Sequence, residues 1–289
     1  MLIPTAPPSA AKAEVEMKLD WKVALITGAG TGIGTAIARR FVADGARICM
    51  TGRRQEMLDQ VAQWLPAGTT TTCAGDVTRF EDARRMVETA LGFGGRLDVL
   101  VNNAAIDRGG MPVVDLDPEI WHQVLETNLT GPMYLMKAAI PHMIKGGGGS
   151  IINIASLGGL RCLPGMPAYC ASKAGLIMLT QQVALDFGPS KIRCNVVCPG
   201  GTRTEMLEKS LSPLAGVLRT DLDGVFKCIS SMIPLRRTAS PEEITGICSY
   251  LASDDSSFMT GSVLLLDGGT AIVDVAGAAV SNAGVQWGV

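Results

Sequence analysis

The main constraint on the fold is the alternation of short apolar segments with longer helical patterns along the chain. The apolar segments are rich in β-branched residues and mostly lack polar alternation, which is typical of strands buried on both faces. They lie at residues 22–27, 46–51, 70–75, 97–102, 150–155, 192–197 and 263–267. Helical patterns lie near 32–44, 54–64, 79–91, 118–144, 167–187 and 241–252. This alternation predicts one α/β domain, a doubly wound parallel sheet of about seven strands with helices on both faces.

Composition and charge argue against several classes of protein. The 289 residues are 47% hydrophobic and 18% charged, which allows a large buried core. The net charge of −2 does not suggest the basic surface that nucleic acid or an anionic membrane requires. No run of about 18 uncharged apolar residues occurs, so we expect no membrane span. We therefore expect a small-molecule substrate, with neither nucleic acid nor a membrane as partner.

Histidines and cysteines bear on metal binding and on location. The two histidines, His122 and His142, lie in ordinary helical segments, so we expect a structural role for each and no metal site. The eight cysteines form no C-x-x-C pair, and several lie in apolar runs as buried free thiols do. This usage favours a reducing, cytoplasmic location.

The chain divides into a central domain and two terminal segments. Residues 1–20 lack the features of a signal peptide, and we expect a flexible leader. The domain covers residues 21–270. Within it, residues 203–240 contain no strand, and we expect them to form a lid over the ligand crevice. The tail, 271–289, carries a single charge, Asp274, and is expected to cover a neighbouring subunit or the pocket.

A glycine-rich turn joins the first strand to the first helix. Its glycines at 28, 32 and 34 follow the pattern G-x-x-x-G-x-G. Glycine lets the backbone approach a pyrophosphate closely, and the helix N-terminus offers free N–H groups. A phosphate loop of the G-K-[ST] type is excluded because that signature does not follow. The alternative is a tight strand–helix turn without a ligand.

The end of the second strand bears on the choice of cofactor. The stretch "CMTGRRQE" has no acidic residue after the strand to bind a ribose 2′-hydroxyl. Arg53 and Arg54 could instead hold a 2′-phosphate, which favours NADP(H). The alternative is that both arginines belong to a solvated helix start.

Further motifs follow in a recognisable order. They are "GDV" at 75–77, "NNAA" at 102–105, "NLTG" at 128–131, Ser156 at the end of "SIINIAS", "YCASK" at 169–173 and "CPGGTRT" at 198–204. Their order and spacing, from about residue 20 to 270, resemble the short-chain dehydrogenase/reductase superfamily, including its 3-oxoacyl-reductase-like members. The resemblance implies a single Rossmann-type domain that uses NAD(P)(H), and commonly a homotetramer or homodimer.

The resemblance also implies roles for individual residues. The catalytic set would be Ser156, Tyr169, Lys173 and Asn128, with Asn128 holding a water for proton relay. The cofactor would contact Gly28, Thr31, Gly32, Ile33, Gly34, Arg53, Asp76, Val77, Asn103, Tyr169, Lys173, Pro199, Gly200, Thr202 and Thr204. Many NADP-preferring members carry a basic residue where this chain has Thr31, so NAD(H) stays open. Ala105 replaces a usual glycine.

Tyr169 and Lys173 have a chemical rationale of their own. Positions i and i+4 share one helix face, so both side chains point the same way. At an effective dielectric of about 20, an ammonium about 4–6 Å away would lower the phenol pKa by about two to three. Tyr169 would then act as acid or base near neutral pH, and Ser156 would donate a hydrogen bond to the substrate oxygen.

The residues beside this set predict an apolar substrate pocket. We expect Leu157, Leu163, Met166, Met206 and Leu207 to line it, although some could simply pack the core. Such a pocket suits an apolar, cyclic or extended, alcohol or ketone. The first hypothesis is thus an NAD(P)-dependent short-chain alcohol dehydrogenase or ketoreductase. The alternatives are a reductase of 3-oxoacyl thioesters on acyl-carrier protein and, with less support, a cofactor-sensing protein without enzymatic activity.

Overall fold

The seven apolar segments form a single parallel sheet, which confirms the predicted fold class. The structure is a computed structural model and describes residues 18–274. The strands are β1 (Val23–Thr27), β2 (Arg47–Gly52), β3 (Thr70–Ala74), β4 (Val99–Asn102), β5 (Gly149–Ile154), β6 (Ile192–Pro199) and β7 (Val263–Leu266). Their order is β3-β2-β1-β4-β5-β6-β7, and every neighbouring pair is parallel.

The strand order locates the ligand crevice. After β3 the chain crosses back over β1 and continues the sheet with β4 on the other side. In open α/β sheets, ligands bind beyond the carboxyl ends of the strands at this reversal. The loops that follow β1 and β4 therefore flank the crevice, and these loops contain the glycine turn and the "NNAA" motif.

Helices cover both faces of the sheet. They are α1 (Gly32–Ala43), α2 (Gln55–Gln63), α3 (Phe80–Gly94), α4 (Pro118–Leu125), α5 (Gly131–Lys145), α6 (Pro167–Phe187), α7 (Glu205–Leu211), α8 (Leu214–Leu218), α9 (Leu222–Ser230) and α10 (Glu242–Ala252). Alternate residues of β1 point to opposite faces, as the pleat requires. Ala24 and Ile26 join one core with Phe41 of α1, whereas Leu25 joins the other with Met86 of α3.

The long helix predicted for 118–144 is interrupted, and that prediction is wrong in this detail. A π-helical turn, Glu126–Thr130, separates α4 from α5, and the Gly131 N–H bonds the Glu126 carbonyl five residues earlier. The next residue, Pro132, has no N–H to give to the carbonyl of Asn128, four residues earlier. Such π turns are frequently found at functional sites.

The predicted lid folds as three short helices, α7 to α9. Its two ends are joined by a bridge between Thr202 and Ala239. Arg203 holds the interior together, because it donates to Glu208 at 2.9 Å and to Asp223 at 2.8 Å. Its guanidinium carbon also lies 4.6 Å from the ring centroid of Phe226. The lid is thus a packed unit with a fixed base.

The two predicted terminal segments fall mostly beyond the described part of the chain. Residues 1–17 of the leader and 275–289 of the tail lie outside it, so both expectations stay predictions. Between residues 18 and 274, no helix is long and apolar enough to cross a membrane. All eight cysteines lie in this range as free thiols, five of them buried.

Candidate active site

The turn between β1 and α1 requires glycine at its key positions. Gly28 and Gly32 have φ angles of +65° and +55°, a region that other residues rarely adopt. A Cβ on Gly34 would lie 2.2 Å from the Gly28 carbonyl oxygen, so no larger residue fits there. Thr31 precedes α1 and makes no side-chain cap, which leaves the first N–H groups of the helix available to an anion. This cradle fits a dinucleotide pyrophosphate.

A polar brace holds the glycine turn against β4. The Asn103 side chain donates to the carbonyl oxygens of Thr27 and Gly28, at 2.9 and 3.2 Å. The Thr27 hydroxyl in turn accepts from the backbone N–H groups of Asn103 and Ala104, both at 3.0 Å. Thr27 was not among the predicted site residues. A buried threonine at the end of a strand carries no pattern that would have singled it out.

The segment after β6 lies beside the glycine turn. A Cβ on Gly32 would lie 3.3 Å from the Thr204 methyl group. Pro199 ends β6, and Gly200 packs against Asp267, where a Cβ would lie 2.8 Å from that residue's Cα. Together with the buried Thr202, these residues form the segment that lies beside the glycine turn at the carboxyl end of β6.

The residues predicted for the adenosine end of the cofactor lie beyond β2 and β3. Arg53 and Arg54 are exposed directly after β2. The Asp76 carboxylate accepts from the Thr78 backbone N–H at 3.0 Å and from its hydroxyl at 2.9 Å, which fixes the turn after β3. Val77 is buried beneath this turn. Ile33, the remaining predicted contact, lies in the first turn of α1, and its partly buried side chain packs against the core.

Ser156, Tyr169 and Lys173 come together at the carboxyl end of β5. Ser156 follows that strand, whereas Tyr169 and Lys173 lie on α6. A Cβ on Gly158 would lie 3.2 Å from the Tyr169 ring and 3.4 Å from the Ser156 hydroxyl, so both side chains flank this glycine. The Lys173 ammonium lies 5.7 Å from the Tyr169 ring centroid and donates to the Ile154 carbonyl at 2.9 Å.

The electrostatics of this group differ from the prediction. Burial lowers the pKa of Lys173 from 10.5 to about 8, with the opposing effect of Cys198 smaller. Burial also raises the pKa of the Tyr169 phenol, a hydrogen bond with Ser156 lowers it, and the charge of Asp107 raises it again. The expected lowering of the Tyr169 pKa is therefore wrong for the protein alone. Loss of hydration outweighs any effect of the ammonium on the phenolate.

Asn128 lies in the π-helical turn and is completely buried. Its side chain accepts from the Ile106 N–H and donates to the Ile106 carbonyl, both at 2.9 Å. It also donates to the Ser172 hydroxyl at 3.1 Å, which donates to the Tyr169 carbonyl at 2.7 Å. The amide thus connects the loop after β4 to the start of α6. Ser172, which the sequence analysis did not identify, completes this connection.

Four of the five predicted pocket residues are at least partly accessible. Leu163 and Met206 are each 38% exposed, and Met166 and Leu207 are partly buried. Leu157, in contrast, is buried. The loop with Leu163 and Met166 and the lid with Met206 and Leu207 therefore offer apolar surface.

Asp107 introduces a charge that the sequence analysis did not anticipate. It follows Ile106 in the loop after β4 and is partly buried. The Ser210 hydroxyl of the lid donates to its carboxylate at 2.5 Å. Burial raises the pKa of Asp107, and the hydrogen bond from Ser210 opposes that rise. A single acidic residue in a loop follows no periodic pattern, so only the fold associates it with Tyr169.

The two histidines lie in helices, His122 in α4 and His142 in α5. Within residues 18–274, no three His, Cys, Asp or Glu side chains are grouped so that they could hold a metal ion.

The sequence matches a known family over most of its length. The family model described as "Enoyl-(Acyl carrier protein) reductase" matches residues 28–271. "Dehydrogenase/reductase SDR family member 4" from Homo sapiens is 34% identical over 253 residues, 86% of this chain and 87% of that protein. "3-oxoacyl-[acyl-carrier-protein] reductase FabG" from Thermotoga maritima is 38% identical over 259 residues, 89% of this chain and 100% of that protein.

A solved structure agrees in fold. The ligand-free aldohexose dehydrogenase of Thermoplasma acidophilum superimposes with a TM-score of 0.81 and 31% sequence identity, covering 90% of this chain and 97% of that one. The chain therefore belongs to the short-chain dehydrogenase/reductase family of oxidoreductases.

Proposed function

We propose that this protein transfers a hydride between NAD(P)(H) and an apolar, cyclic alcohol or ketone, with Tyr169 as acid and base. Members of the family generally use NAD(P)(H) and act on small molecules. The observation that carries the proposal is the grouping of Ser156, Tyr169 and Lys173 at the crevice where the glycine turn fits a dinucleotide.

The chain's own residues would manage the proton. When bound, the nicotinamide would supply or accept the hydride. In reduction, the Tyr169 hydroxyl gives its proton to the substrate oxygen, and in oxidation the phenolate takes it back. The Ser156 hydroxyl donates a hydrogen bond to the same oxygen and stabilises its developing charge. Because the pKa of Tyr169 is raised, the phenol keeps its proton at neutral pH, which suits the reduction of a ketone.

Asn128 would support the proton relay through its backbone. Its side-chain amide is engaged by Ile106 and Ser172. Its carbonyl has no α-helical donor, because Pro132 lacks an N–H. We therefore propose that this carbonyl, rather than the side chain, accepts from the water that returns a proton to Tyr169.

NADP(H) is the proposed cofactor, with NAD(H) as the alternative. Arg53 is an exposed cation at the end of β2, where a 2′-phosphate would lie. We expect Arg53→Ala to raise the KM for NADPH about 10- to 100-fold and to leave that for NADH within about threefold. Arg39→Ala, an exposed arginine on α1, is the matched control. Equal effects on both coenzymes would contradict this role.

Reduction of 3-oxoacyl thioesters is the second candidate, supported by the similarity to the Thermotoga maritima reductase. An acidic carrier protein would need a basic rim, and several arginines on the surface already pair with carboxylates of this chain. Arg40 pairs with Asp44, and Arg237 pairs with Glu243. We favour the small-molecule substrate for this reason. The third candidate, a cofactor sensor, would tolerate loss of the Tyr169 hydroxyl.

We also propose a homotetramer or homodimer in a cytoplasmic location. Members of the family are commonly oligomeric. Met178 and Leu185, two helical turns apart on α6, are 65% and 74% exposed. At the sheet edge, Leu265 of β7 is 43% exposed, with Phe258 fully exposed nearby in the chain. Such apolar surface is typical of subunit contacts.

The proposed cytoplasmic location rests on the cysteines. The free thiols support a reducing compartment.

The function is tested by turnover with purified protein. Cyclic ketones and alcohols of increasing size are offered with NADPH and NADH, or with NADP⁺ and NAD⁺, and coenzyme absorbance is followed. The proposal expects turnover of a cyclic ketone with NADPH preferred. Activity confined to acyl thioesters would favour the second candidate instead.

A further inference from the structure

Asp107 is a carboxylate at the substrate side of the site with no cationic partner among residues 18–274. It is partly buried, and its charge raises the pKa of the Tyr169 phenol. Neither Arg108 nor Arg161 forms an ion pair with Asp107, because each donates to another group. Arg108 donates to Gln123 at 2.6 Å, and Arg161 donates to the Ala271 carbonyl at 3.0 Å.

The loop that carries Asp107 is held in place from three directions. Asn128 bonds both backbone groups of Ile106, the residue before it. The N–H groups of Gly110 and Met111, just after it, donate to the Gly165 carbonyl at 2.8 and 3.1 Å. The lid holds the carboxylate itself through the Ser210 hydroxyl. Asp107 thus lies where the lid, the 160–166 loop and the Tyr169 region converge.

The bonding capacity of Asp107 is only partly used. A carboxylate has about four acceptor positions. The Ser210 hydroxyl occupies one of them, and the backbone N–H of Asp107 itself occupies a second. A partly desolvated carboxylate gains strongly from a further donor.

We propose that Asp107 is a substrate-binding residue, and that the substrate carries a second hydroxyl group besides the alcohol or ketone that reacts. The second hydroxyl donates to the Asp107 carboxylate while the reacting oxygen lies at Ser156 and Tyr169. A hydroxyl fits better than an ammonium group, because a cation beside this partly buried carboxylate would lose much of its hydration. This inference rests on the proposed alcohol/ketone oxidoreductase activity.

A purely structural role for Asp107, as a latch for the lid, predicts a different pattern. Removing the Ser210 hydroxyl would then disturb turnover as much as removing the carboxylate does. Both changes would affect all substrates alike, whether or not they carry a second hydroxyl.

The test compares 1,2-cyclohexanediol, as separate cis and trans isomers, with cyclohexanol in the oxidation direction. The kcat/KM ratio of diol to mono-alcohol is measured for the wild type, Asp107→Asn, Asp107→Leu and Ser210→Ala, with thermal unfolding as a check on folding. We expect a wild-type ratio of about 10 to 100 for one isomer, the size of one hydrogen bond to a charged acceptor. Both Asp107 variants should bring this ratio close to one, and Ser210→Ala should keep most of it.

The inference is overturned if the wild type shows no preference for either diol, if the preference survives Asp107→Leu, or if Ser210→Ala loses it equally. A preference for 2-aminocyclohexanol over the diols would overturn the choice of a hydroxyl. Turnover of both alcohols that survives Tyr169→Phe would instead contradict the proposed function. That outcome is distinct from a change in the kcat/KM ratio of diol to mono-alcohol, which tests only the role of Asp107.

Discussion

At the scale of single residues, burial governs the chemistry of the proposed acid and its neighbour. Tyr169 and Lys173 share a helix face as expected, yet desolvation raises the pKa of one and lowers that of the other. Between about pH 8 and the raised pKa of the phenol, both groups are therefore neutral, whereas at neutral pH the phenol keeps its proton and the lysine is mostly charged. A nearby ammonium does stabilise a phenolate, as the i and i+4 spacing predicts. The spacing does not reveal how deeply the two side chains are buried, and the loss of hydration has the larger effect on both pKa values.

The first prediction concerns the titration of Tyr169. Because burial raises its pKa above the ordinary 10, the phenolate should form only above that pH in the protein alone. Ultraviolet difference absorbance of tyrosinate is recorded against pH for the wild type and Tyr169→Phe. The signal lost in the variant should belong to a titration above pH 10. A lost component that titrates near pH 7 would contradict the direction of the shift.

The second prediction concerns the energetic cost of Lys173. Its pKa is about 8 in the folded protein and 10.5 ordinarily. Between these values the unfolded chain binds a proton that the native state does not, so stability rises with pH across this window. Below pH 8 the lysine is charged in the native state too, and burying this charge costs about 3 kcal/mol of the free energy of unfolding. Lys173→Met should therefore be inactive yet more stable at pH 7.

Thermal unfolding at two pH values tests this cost. At pH 7 the Tm of Lys173→Met should exceed that of the wild type by about 2 to 6 °C, after allowance for the lost bond to Ile154. At pH 10 most of this gain should disappear, because the wild-type penalty has faded. A variant that is less stable than the wild type at both pH values would refute the account.

At the scale of elements, the strands were well predicted and the helix after β4 was not. All seven strand positions were recognised, because parallel strands buried on both faces have a strong apolar signature. The helical signature of 118–144 continues through the π-helical turn, so periodicity alone misses it. The adjacent Gly131 and Pro132 were the only sequence feature here that could have indicated an irregular turn. The lid helices α7 to α9 are too short for periodicity to define them.

The third prediction concerns the Asn128 side chain, whose hydrogen bonds connect the π-helical turn to the loop after β4 and to α6. Asn128→Ala leaves the Ile106 backbone groups and the Ser172 hydroxyl without that partner. We expect a loss of about 2 to 4 kcal/mol in the free energy of unfolding, measured by urea denaturation. Glu126→Ala, exposed in the same turn, should change it by less than about 0.5 kcal/mol. Similar effects of the two variants would argue against the bracing role.

At the scale of the whole molecule, the topology brings distant residues together. Ser156, Tyr169 and the glycine turn could be recognised as motifs, since each follows a strand or starts a helix. Asp107, Thr27 and Ser172 could not, because their importance arises only from neighbours distant in sequence. The strand order places these residues around one crevice.

The fourth prediction concerns assembly through the exposed face of α6. Replacing both Met178 and Leu185 by Glu should place charges in the proposed subunit contact and lower the mass measured by light scattering. Gln60→Glu, exposed on α2, adds charge elsewhere and should leave the mass unchanged. A wild type that is monomeric, or an unchanged mass in the double variant, would contradict this interface.

The central claim is that Tyr169 is the acid and base, and Tyr169→Phe tests it most directly. The variant keeps the ring and removes only the hydroxyl, so coenzyme affinity should change by less than about threefold. The kcat for a responsive ketone should fall by about 10² to 10⁴. Tyr134→Phe is the control, because Tyr134 packs on Phe80 with ring centroids 5.4 Å apart, and should keep full activity. Retention of more than about a tenth of the wild-type kcat by Tyr169→Phe would contradict the account.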